Sequence, residues 1–212
     1  MAAFDLEEQE RLDALKDWWK ENGLVVYVAV AAFIIAVAGI KGWRYYKDTR
    51  ADAAAELVAE VEKKAPDNDA KKLQEGAAQL MDKYPESPYA ARAALTAAQA
   101  SFEAKDSDNA QKDLRWVIEK SRIGQFQTIA RLRLAALLLD AKKYDEALKL
   151  LDENKDEAFV ALSADLRGDI FAAQGRAAEA RAAYKLALEK GQANNPLRQA
   201  TQMKLDALGD GQ

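Results

Sequence analysis

The longest apolar stretch of the chain is LVVYVAVAAFIIAVAGI at residues 24–40, which contains no charged residue and no proline. With Gly23 it makes eighteen uncharged residues. At about 1.5 Å per residue, a helix of this length spans about 27 Å, close to the hydrocarbon thickness of a bilayer. The sequence therefore predicts one membrane-spanning helix, with a short tail before it and a domain of about 160 residues after residue 50.

Aromatic residues flank this stretch on both sides. Trp18 and Trp19 precede it, and Trp43, Tyr45 and Tyr46 follow it. Tryptophan and tyrosine are enriched at the interface between the hydrocarbon and the lipid head groups. Their positions therefore support a membrane-spanning helix.

A cleavable signal peptide is the alternative interpretation, because residues 36–38 read Ala-Val-Ala and fit a cleavage sequence. Signal peptides begin with a basic segment, whereas the residues before the span include seven acidic and only three basic side chains. The apolar stretch is also longer than the apolar region of an ordinary signal peptide. We therefore predict that the helix is retained as an anchor.

Charge gives little information about the orientation of this helix. Four basic residues follow the span closely and three precede it. The positive-inside rule alone would place the large domain in the cytoplasm, but a margin of one charge does not determine the orientation.

Small residues form a stripe along one face of the predicted span. The stripe consists of Ala29, Ala32, Ala36 and Gly39. Such a face lets another transmembrane helix approach closely, so we predict a helix-packing surface here. The alternative, that alanine is simply common in membrane helices, stays open.

The composition argues against several kinds of site. The chain has neither cysteine nor histidine, which excludes Ser-His-Asp triads, thiolate nucleophiles and Cys/His zinc sites. Its net charge of -4, with both signs interspersed, argues against nucleic acid as a partner. Residues 67–69 read Asp-Asn-Asp but lack the later glycine and glutamate of a calcium loop, so we interpret them as a helix cap. We predict no catalytic residues, no cofactor and no metal.

Pairs of small residues twelve positions apart occur three times after residue 88. Successive pairs are offset by 37 and 33 residues, and each segment contains two helical patterns around a short polar turn. A period near 34 residues is typical of tetratricopeptide repeats, in which small residues let the two helices of a hairpin pack closely. The pairs are Ala98 with Ala110, Ala135 with Ala147, and Gly168 with Ala180.

The predicted fold is all-α, an N-terminal single transmembrane helix followed by a tetratricopeptide repeat-like α-solenoid. A last helix begins at Asn195-Pro196, and its polar outer face closes the stacked array. The predicted parts are a short amphipathic tail at residues 1–22, the transmembrane helix at 23–41, membrane-proximal helices at 42–87, and the repeats with their capping helix at 88–212.

A solenoid of this kind has a concave surface that binds extended segments of other proteins. Helical spacing fits a core position as well as a groove position, so both assignments stay open for Leu132, Leu139 and Leu162. For the cluster Asp165-Arg167-Asp169, a salt-bridged structural role is favoured over binding. Alignment of the repeats places on this surface Arg92, Leu95, Gln99, Phe102, Ile129, Leu132, Ala136, Leu139, Leu162, Asp165 and Asp169.

Several short blocks of sequence occur in the order found in a known family. Together with the anchor, they resemble the YfgM family, the single-span ancillary subunits of the bacterial Sec translocon. The resemblance extends from about residue 12 to residue 208. The blocks are Glu-Asn-Gly at residues 21–23, Gly-Trp-Arg-Tyr at 42–45, Leu-Arg-Leu-Ala at 132–135, Ala-Asp-Leu-Arg-Gly-Asp at 164–169 and Gln-Met-Lys-Leu at 202–205.

This resemblance implies a function that the periodicity alone does not. Members of the family are inner-membrane proteins with a cytoplasmic N-terminus and a periplasmic repeat domain. They associate with the SecYEG translocon and with PpiD, a membrane-anchored periplasmic chaperone, and they help pass translocated proteins to periplasmic chaperones. The resemblance implies no catalytic residues. The alternative is a membrane-tethered repeat scaffold for cell-envelope assembly or division, and an enzyme is the interpretation that the composition supports least.

Overall fold

The computed structural model describes residues 6–64, 69–192 and 196–209, and every regular element within these ranges is helical. This confirms the predicted all-α fold class. The chain divides into two compact units, residues 1–50 and residues 51–212. The helices are α1 (Leu6–Lys64), α2 (Ala70–Lys83), α3 (Pro88–Glu103), α4 (Ser107–Lys120), α5 (Gly124–Asp140), α6 (Tyr144–Asp152), α7 (Val160–Ala173), α8 (Ala177–Lys190) and α9 (Leu197–Ala207), with a short 3-10 helix, Glu157–Phe159, before α7.

The first unit contains the part of α1 that is long and apolar enough to cross a membrane, between Glu10 and Tyr46. Its large apolar side chains point outward, and Leu24, Phe33 and Ile35 are between 70% and 77% exposed. Apolar surface this extensive is rare on soluble monomeric proteins, and lipid is the environment that suits it. The helix therefore fits the predicted single span.

Aromatic rings pack on α1 where the apolar stretch begins. Trp19 and Tyr27 form an edge-to-face pair with ring centroids 5.6 Å apart. Gly23 lies one turn after Trp19, and a Cβ at this position would lie 3.3 Å from the indole Nε1. The glycine thus leaves room for the indole against the helix backbone.

The three predicted hairpins share one turn geometry. Lys105, Lys142 and Gly175 each follow the first small residue of their repeat by seven positions, and their φ angles are 62°, 59° and 74°. At each turn, the N–H of this residue and of the next one donate to carbonyl oxygens three and five residues earlier, over 2.8 to 2.9 Å. These bonds satisfy the last carbonyls of the first helix, as in the Schellman motif. Equal geometry at equal spacing makes the three segments structural repeats.

Side-chain caps begin α2 and α3. Asp69 accepts hydrogen bonds from two backbone N–H groups in the first turn of α2, at 3.0 and 3.3 Å. Ser87 accepts one in the first turn of α3, at 3.2 Å. Asp69 is therefore the capping member of the Asp-Asn-Asp sequence, whose residues 67–68 lie outside the described residues, as does Asn195 before α9.

The helices of the second unit pack in chain order. Each helix from α2 to α8 contacts the next one, and the first helices of successive hairpins, α3, α5 and α7, also contact each other in sequence. The main core lies between α3 and α7 and includes the fully buried Leu134, Leu138 and Leu151. A smaller core joins Ala54 of α1 to α2 and α3. This is the arrangement of the predicted solenoid.

The small residues of the three hairpins are buried, but the large residue at one equivalent position differs between the hairpins. All six members of the three pairs are buried. In the third hairpin, the ring of Tyr184 lies against Gly168, where even a Cβ would overlap the ring. The first and second hairpins have Leu114 and Leu151 at the position of Tyr184, and alanine in place of the glycine. The two positions therefore compensate for each other in size.

Candidate protein-binding surface

An open cavity of about 320 Å3 lies between α3 and α5, on the face that the repeat pattern predicts to be concave. We call it the α3–α5 cavity. Three of the predicted groove residues line it, namely Gln99, Phe102 and Ala136. The side chain of Phe102 is 51% exposed, so the cavity presents an aromatic ring to solvent. The other lining residues are Ala98, Glu103, Leu114, Arg133, Leu137 and Asp140.

The polar groups of the α3–α5 cavity are partly engaged within the protein. Gln99 Nε2 donates to Glu103 Oε1 at 3.0 Å along α3. Arg133 Nη1 donates to the backbone carbonyl oxygen of Leu95 at 3.1 Å, which joins α5 to α3. Glu103 and Asp140 contribute two negative charges against one positive charge from Arg133, which gives the lining residues a formal charge of -1. An apolar floor with few polar groups around it is typical of sites that recognise a ligand.

Not all of the predicted groove residues are available on this face. Leu95 is only 8% exposed and belongs to the main core, which corrects its assignment to the groove. Ile129, Leu132 and Leu139 are half-buried and pack against the same core. Arg92 is exposed and borders a separate depression of about 40 Å3 between α2 and α3. Helical spacing could not separate these cases, since core and surface positions alternate every three or four residues.

The corresponding face of α7 is covered by α9, the last helix of the chain. Lys204 Nζ lies 2.8 Å from Asp165 Oδ2 and 2.7 Å from Asp169 Oδ2. Thr201 Oγ1 donates to Asp165 Oδ1 at 2.7 Å, and the hydroxyl of Tyr184 on α8 donates to Asp169 Oδ1 at 2.8 Å. Both carboxylates therefore hold α9 in place. This corrects their assignment to an open groove.

The remaining residues of this region have structural contacts as well. The neighbouring Arg167 does not pair with the two acids but with Asp152 at the end of α6, at 2.9 Å. Leu162 lines a cleft of about 20 Å3 between α7, α8 and α9, which is too small for a side chain of a partner. Among the residues that the structure describes, no cluster of acidic side chains could hold a metal ion.

Two pKa shifts follow from the contacts of α9. Burial lowers the pKa of Lys204, but its hydrogen bonds to Asp165 and Asp169 outweigh burial, so the pKa is raised above its usual value. Burial raises the pKa of Tyr184, and the hydrogen bond to Asp169 raises it further. Lys204 is therefore a cation and Tyr184 a neutral donor near neutral pH. The ammonium also lies 5.8 Å from the centroid of the Tyr184 ring.

A buried polar cluster joins α2, α3 and α4, and sequence reasoning missed it. Gln74 Nε2 donates to Ser101 Oγ at 2.7 Å and to Asp113 Oδ2 at 2.6 Å. Asp113 is 3% exposed, and burial raises the pKa of its carboxyl group despite the hydrogen bond from Gln74. Ser101 stands where the other repeats have Leu138 and Phe171. That substitution of a small polar residue was the one signal in the sequence that pointed to the cluster.

The stripe of small residues lies on the apolar part of α1. Ala29, Ala32, Ala36 and Gly39 are all exposed on the helix surface. A Cβ placed on Gly39 would meet no atom within 4 Å. Its role in packing against another helix stays a prediction.

Two comparisons with known proteins match this architecture. The family model of a tetratricopeptide repeat-like domain matches residues 16–210. A Neisseria gonorrhoeae protein named ancillary SecYEG translocon subunit is 38% identical over 213 residues, which cover 97% of this chain and 99% of that protein. Proteins with the same name from Haemophilus influenzae and Escherichia coli are 32% and 28% identical, over 97% and 95% of this chain and 100% and 96% of their own lengths.

Proposed function

Because the chain belongs to the YfgM family of ancillary SecYEG translocon subunits, we propose that it is a non-enzymatic ancillary subunit of the Sec translocon. Its repeat domain binds partner proteins and helps pass translocated proteins to periplasmic chaperones. The α3–α5 cavity carries this proposal, because it presents the exposed ring of Phe102 on the face that helical-repeat proteins use for binding. The lack of cysteine and histidine supports a role without catalysis.

The proposed location is the bacterial inner membrane, with α1 crossing it once. The exposed apolar side chains of residues 24–40 support insertion of this helix into lipid. In our proposal the N-terminus is cytoplasmic and the repeat domain periplasmic. The family resemblance supports this orientation, and the basic residues after the span do not oppose it strongly, since large domains translocate despite flanking charge.

The proposed partners are the SecYEG translocon and a membrane-anchored periplasmic chaperone of the PpiD type. The names of the relatives support the first partner. The second comes from the family resemblance. The protein offers two surfaces to these partners. The stripe of small residues on α1 can contact a transmembrane helix, and the α3–α5 cavity can contact a soluble segment.

Purification in a gentle detergent tests this function most directly. We expect the full chain to bring SecYEG subunits and a PpiD-like chaperone with it, as identified by mass spectrometry. Phe102→Asp should reduce recovery of the chaperone, whereas Leu186→Asp, which changes an exposed apolar residue on α8, should not. Recovery of cell-wall proteins alone would reject the translocon role in favour of an envelope scaffold.

A second experiment tests the orientation. Protease added to spheroplasts should digest the chain after Arg50 and leave a short N-terminal fragment protected. Complete protection of the repeat domain would place it in the cytoplasm and contradict the proposed hand-over to periplasmic chaperones.

A third experiment tests the stripe on α1. Ala32→Leu combined with Ala36→Leu should reduce co-purification of SecYEG, because larger side chains keep a second helix at a distance. Val30→Leu combined with Ile34→Leu changes the other side of the helix and serves as the matched control. Equal recovery with both double variants would remove the stripe from the interface.

A further inference from the structure

We propose that the α3–α5 cavity binds an extended segment of a partner polypeptide that carries a large apolar side chain next to a lysine or arginine. The apolar side chain contacts Phe102, and the cation lies against Glu103 and Asp140. This inference rests on the proposed function and specifies the kind of segment that the repeat domain accepts.

The apolar part of the inference comes from the floor of the cavity. Ala98, Leu114, Ala136 and Leu137 line it together with Phe102. A volume of about 320 Å3 is at the lower end of the range for ligand pockets, so it suits one large side chain and the adjoining backbone rather than a folded domain. An exposed aromatic ring beside such a floor favours an aliphatic or aromatic side chain as its occupant.

The preference for a cation is inferred from two acidic residues at equivalent positions of the first and second hairpins. Glu103 and Asp140 each follow the first small residue of their hairpin by five positions, and both are exposed at the same cavity. Neither carboxylate forms an ion pair within the described parts of the chain. The third hairpin, whose face is covered by α9, has Ala173 at this position. The acid pair therefore coincides with the open part of the surface.

Elsewhere in the same molecule, a lysine side chain already binds between two carboxylates and near an aromatic ring. On α7, Lys204 lies between the carboxylates of Asp165 and Asp169, with the ring of Tyr184 nearby. Two carboxylates and an aromatic ring thus already hold a lysine against a repeat face of this chain. The α3–α5 cavity offers the same set of groups, with Phe102 as the ring, and its lining cation, Arg133, donates to the carbonyl oxygen of Leu95. In our proposal the partner supplies the cation for Glu103 and Asp140.

The arrangement disfavours an acidic segment. It would bring like charges toward Glu103 and Asp140, and the only cation of the lining, Arg133, already uses Nη1 for the carbonyl oxygen of Leu95. Exposed ion pairs contribute little each, so we expect selectivity of about fivefold to tenfold, decreasing as salt screens the charges.

Peptide binding to the full chain in lipid nanodiscs tests the inference by fluorescence anisotropy. The probes are three labelled Gly/Ser-rich peptides that carry Phe-Lys-Leu-Arg, Phe-Glu-Leu-Glu or Ser-Lys-Ser-Arg at their centre. We expect the first peptide to bind about fivefold to tenfold more tightly than the other two at low salt. Empty nanodiscs provide the blank for binding to lipid.

Matched variants separate the cavity from the rest of the surface. Glu103→Lys with Asp140→Lys should invert the preference between the basic and the acidic peptide. Phe102→Ser should weaken the binding of the two peptides that contain Phe and Leu. Glu75→Lys with Glu119→Lys makes the same change of charge on the exposed faces of α2 and α4, and Leu186→Ser removes an apolar group from α8. Circular dichroism checks that each variant keeps its helical content.

Three outcomes would overturn the inference. One is equal binding of the three peptides, and another is an equal change in the cavity variants and their outer-face controls. The third is a photocrosslink from a photoreactive analogue at position 102 that reaches only a second copy of this chain. Should the full chain still bring SecYEG subunits with it and recovery of the chaperone still depend on Phe102 in any of these cases, the proposed function stands and this inference alone fails. If the peptides bind selectively but no translocon partner co-purifies, the proposed function fails and the inferred peptide preference stands.

Discussion

On the binding face of the repeat domain, α5 and α7 present different side chains at equivalent positions. Where α5 has Leu132 and Ala136, α7 has Asp165 and Asp169. Ala136 borders the open α3–α5 cavity, whereas the two acids hold α9 through Lys204. Two helices with the same turn geometry and a small residue at the same position thus differ in whether their face is free. The repeat pattern determines the backbone, and a change of charge at two positions determines what covers it.

The residues packed inside the second and third hairpins also differ. The second hairpin pairs Ala135 with Leu151, and the third pairs Gly168 with the larger Tyr184. The hydroxyl group of the tyrosine also donates to Asp169, one of the two acids that hold α9. The packing inside the third hairpin and the chemistry on its face are therefore connected.

The largest effect is expected when the third hairpin is made like the second at one position only. Gly168→Ala places a Cβ in the ring of Tyr184, and overpacking of this kind costs about 1–3 kcal/mol. Thermal unfolding of the full chain in nanodiscs, followed by circular dichroism, measures the loss. Adding Tyr184→Leu rebuilds the Ala–Leu pair of the second hairpin and should recover part of the stability. An unchanged unfolding temperature for Gly168→Ala would contradict the close contact.

The next effect concerns the cation that closes α7. Lys204→Met removes the cation from two carboxylates that keep their hydrogen bonds from Thr201 and Tyr184, and we expect a loss of about 1–2 kcal/mol, limited by partial exposure of the ion pairs. In the variant, the hydrogen-exchange rate of α9 should increase relative to the parent more than that of α5. Lys185→Met, an exposed change on α8, is the control. Faster exchange throughout the domain would mean that Lys204 supports more than the closure.

The same substitution has a defined pH dependence. The pKa of Lys204 is raised in the folded protein, so its stabilising contribution is complete below 10.5 and is lost as the pH rises through the folded pKa. The difference in stability between the parent and Lys204→Met should therefore be constant near neutral pH and decrease only above 10.5.

A smaller effect is expected at Asp113, whose partner is an amide rather than an ammonium. Burial raises the pKa of this carboxyl group in the folded protein, so its charged form opposes folding. Stability linked to Asp113 is present below pH 3.8 and is lost as the pH rises through the folded pKa. Asp113→Asn should therefore add about 1 kcal/mol at neutral pH and nothing below pH 3.8, as urea unfolding at a series of pH values would measure. A loss of stability at neutral pH would show that the charge is needed.

The smallest effect is expected at the turns, where the hairpins are most alike. Lys142 adopts the left-handed conformation that Gly175 adopts in the third hairpin. Lys142→Gly should stabilise the domain by about 0.5–1 kcal/mol, and Gly175→Lys should destabilise it by a similar amount. Thermal unfolding of the two variants provides the measurement. Changes of the same sign in both would contradict the equivalence of the turns.

Much of the fold could be predicted from the sequence because its signals are local. The uncharged stretch at residues 24–40, the cap at Asp69 and the small residues twelve apart each act within one helix or one hairpin. Their spacing is determined by the geometry of helices and tight turns, which does not depend on distant parts of the chain.

The site could be predicted only in part, because its contacts join residues far apart in the chain. Asp165 and Lys204 are 39 positions apart, and their pairing depends on how α9 docks on α7. Gln74 and Asp113 are also 39 positions apart, so no local pattern around Ser101 indicates the buried cluster that the three residues form. Leu95 illustrates a third difficulty, since helical spacing placed it near the groove although its side chain faces the core.

The closure of α7 by α9 also constrains where a further hairpin could be added to the domain. A further hairpin added after α8 would have to present its first helix to Asp165 and Asp169, which only a helix with a suitably placed cation satisfies. A copy of α5 and α6 inserted after α6 would instead meet largely apolar neighbours on both sides. An extension at the end of the domain therefore requires a cation at the position of Lys204, whereas an insertion in its middle does not.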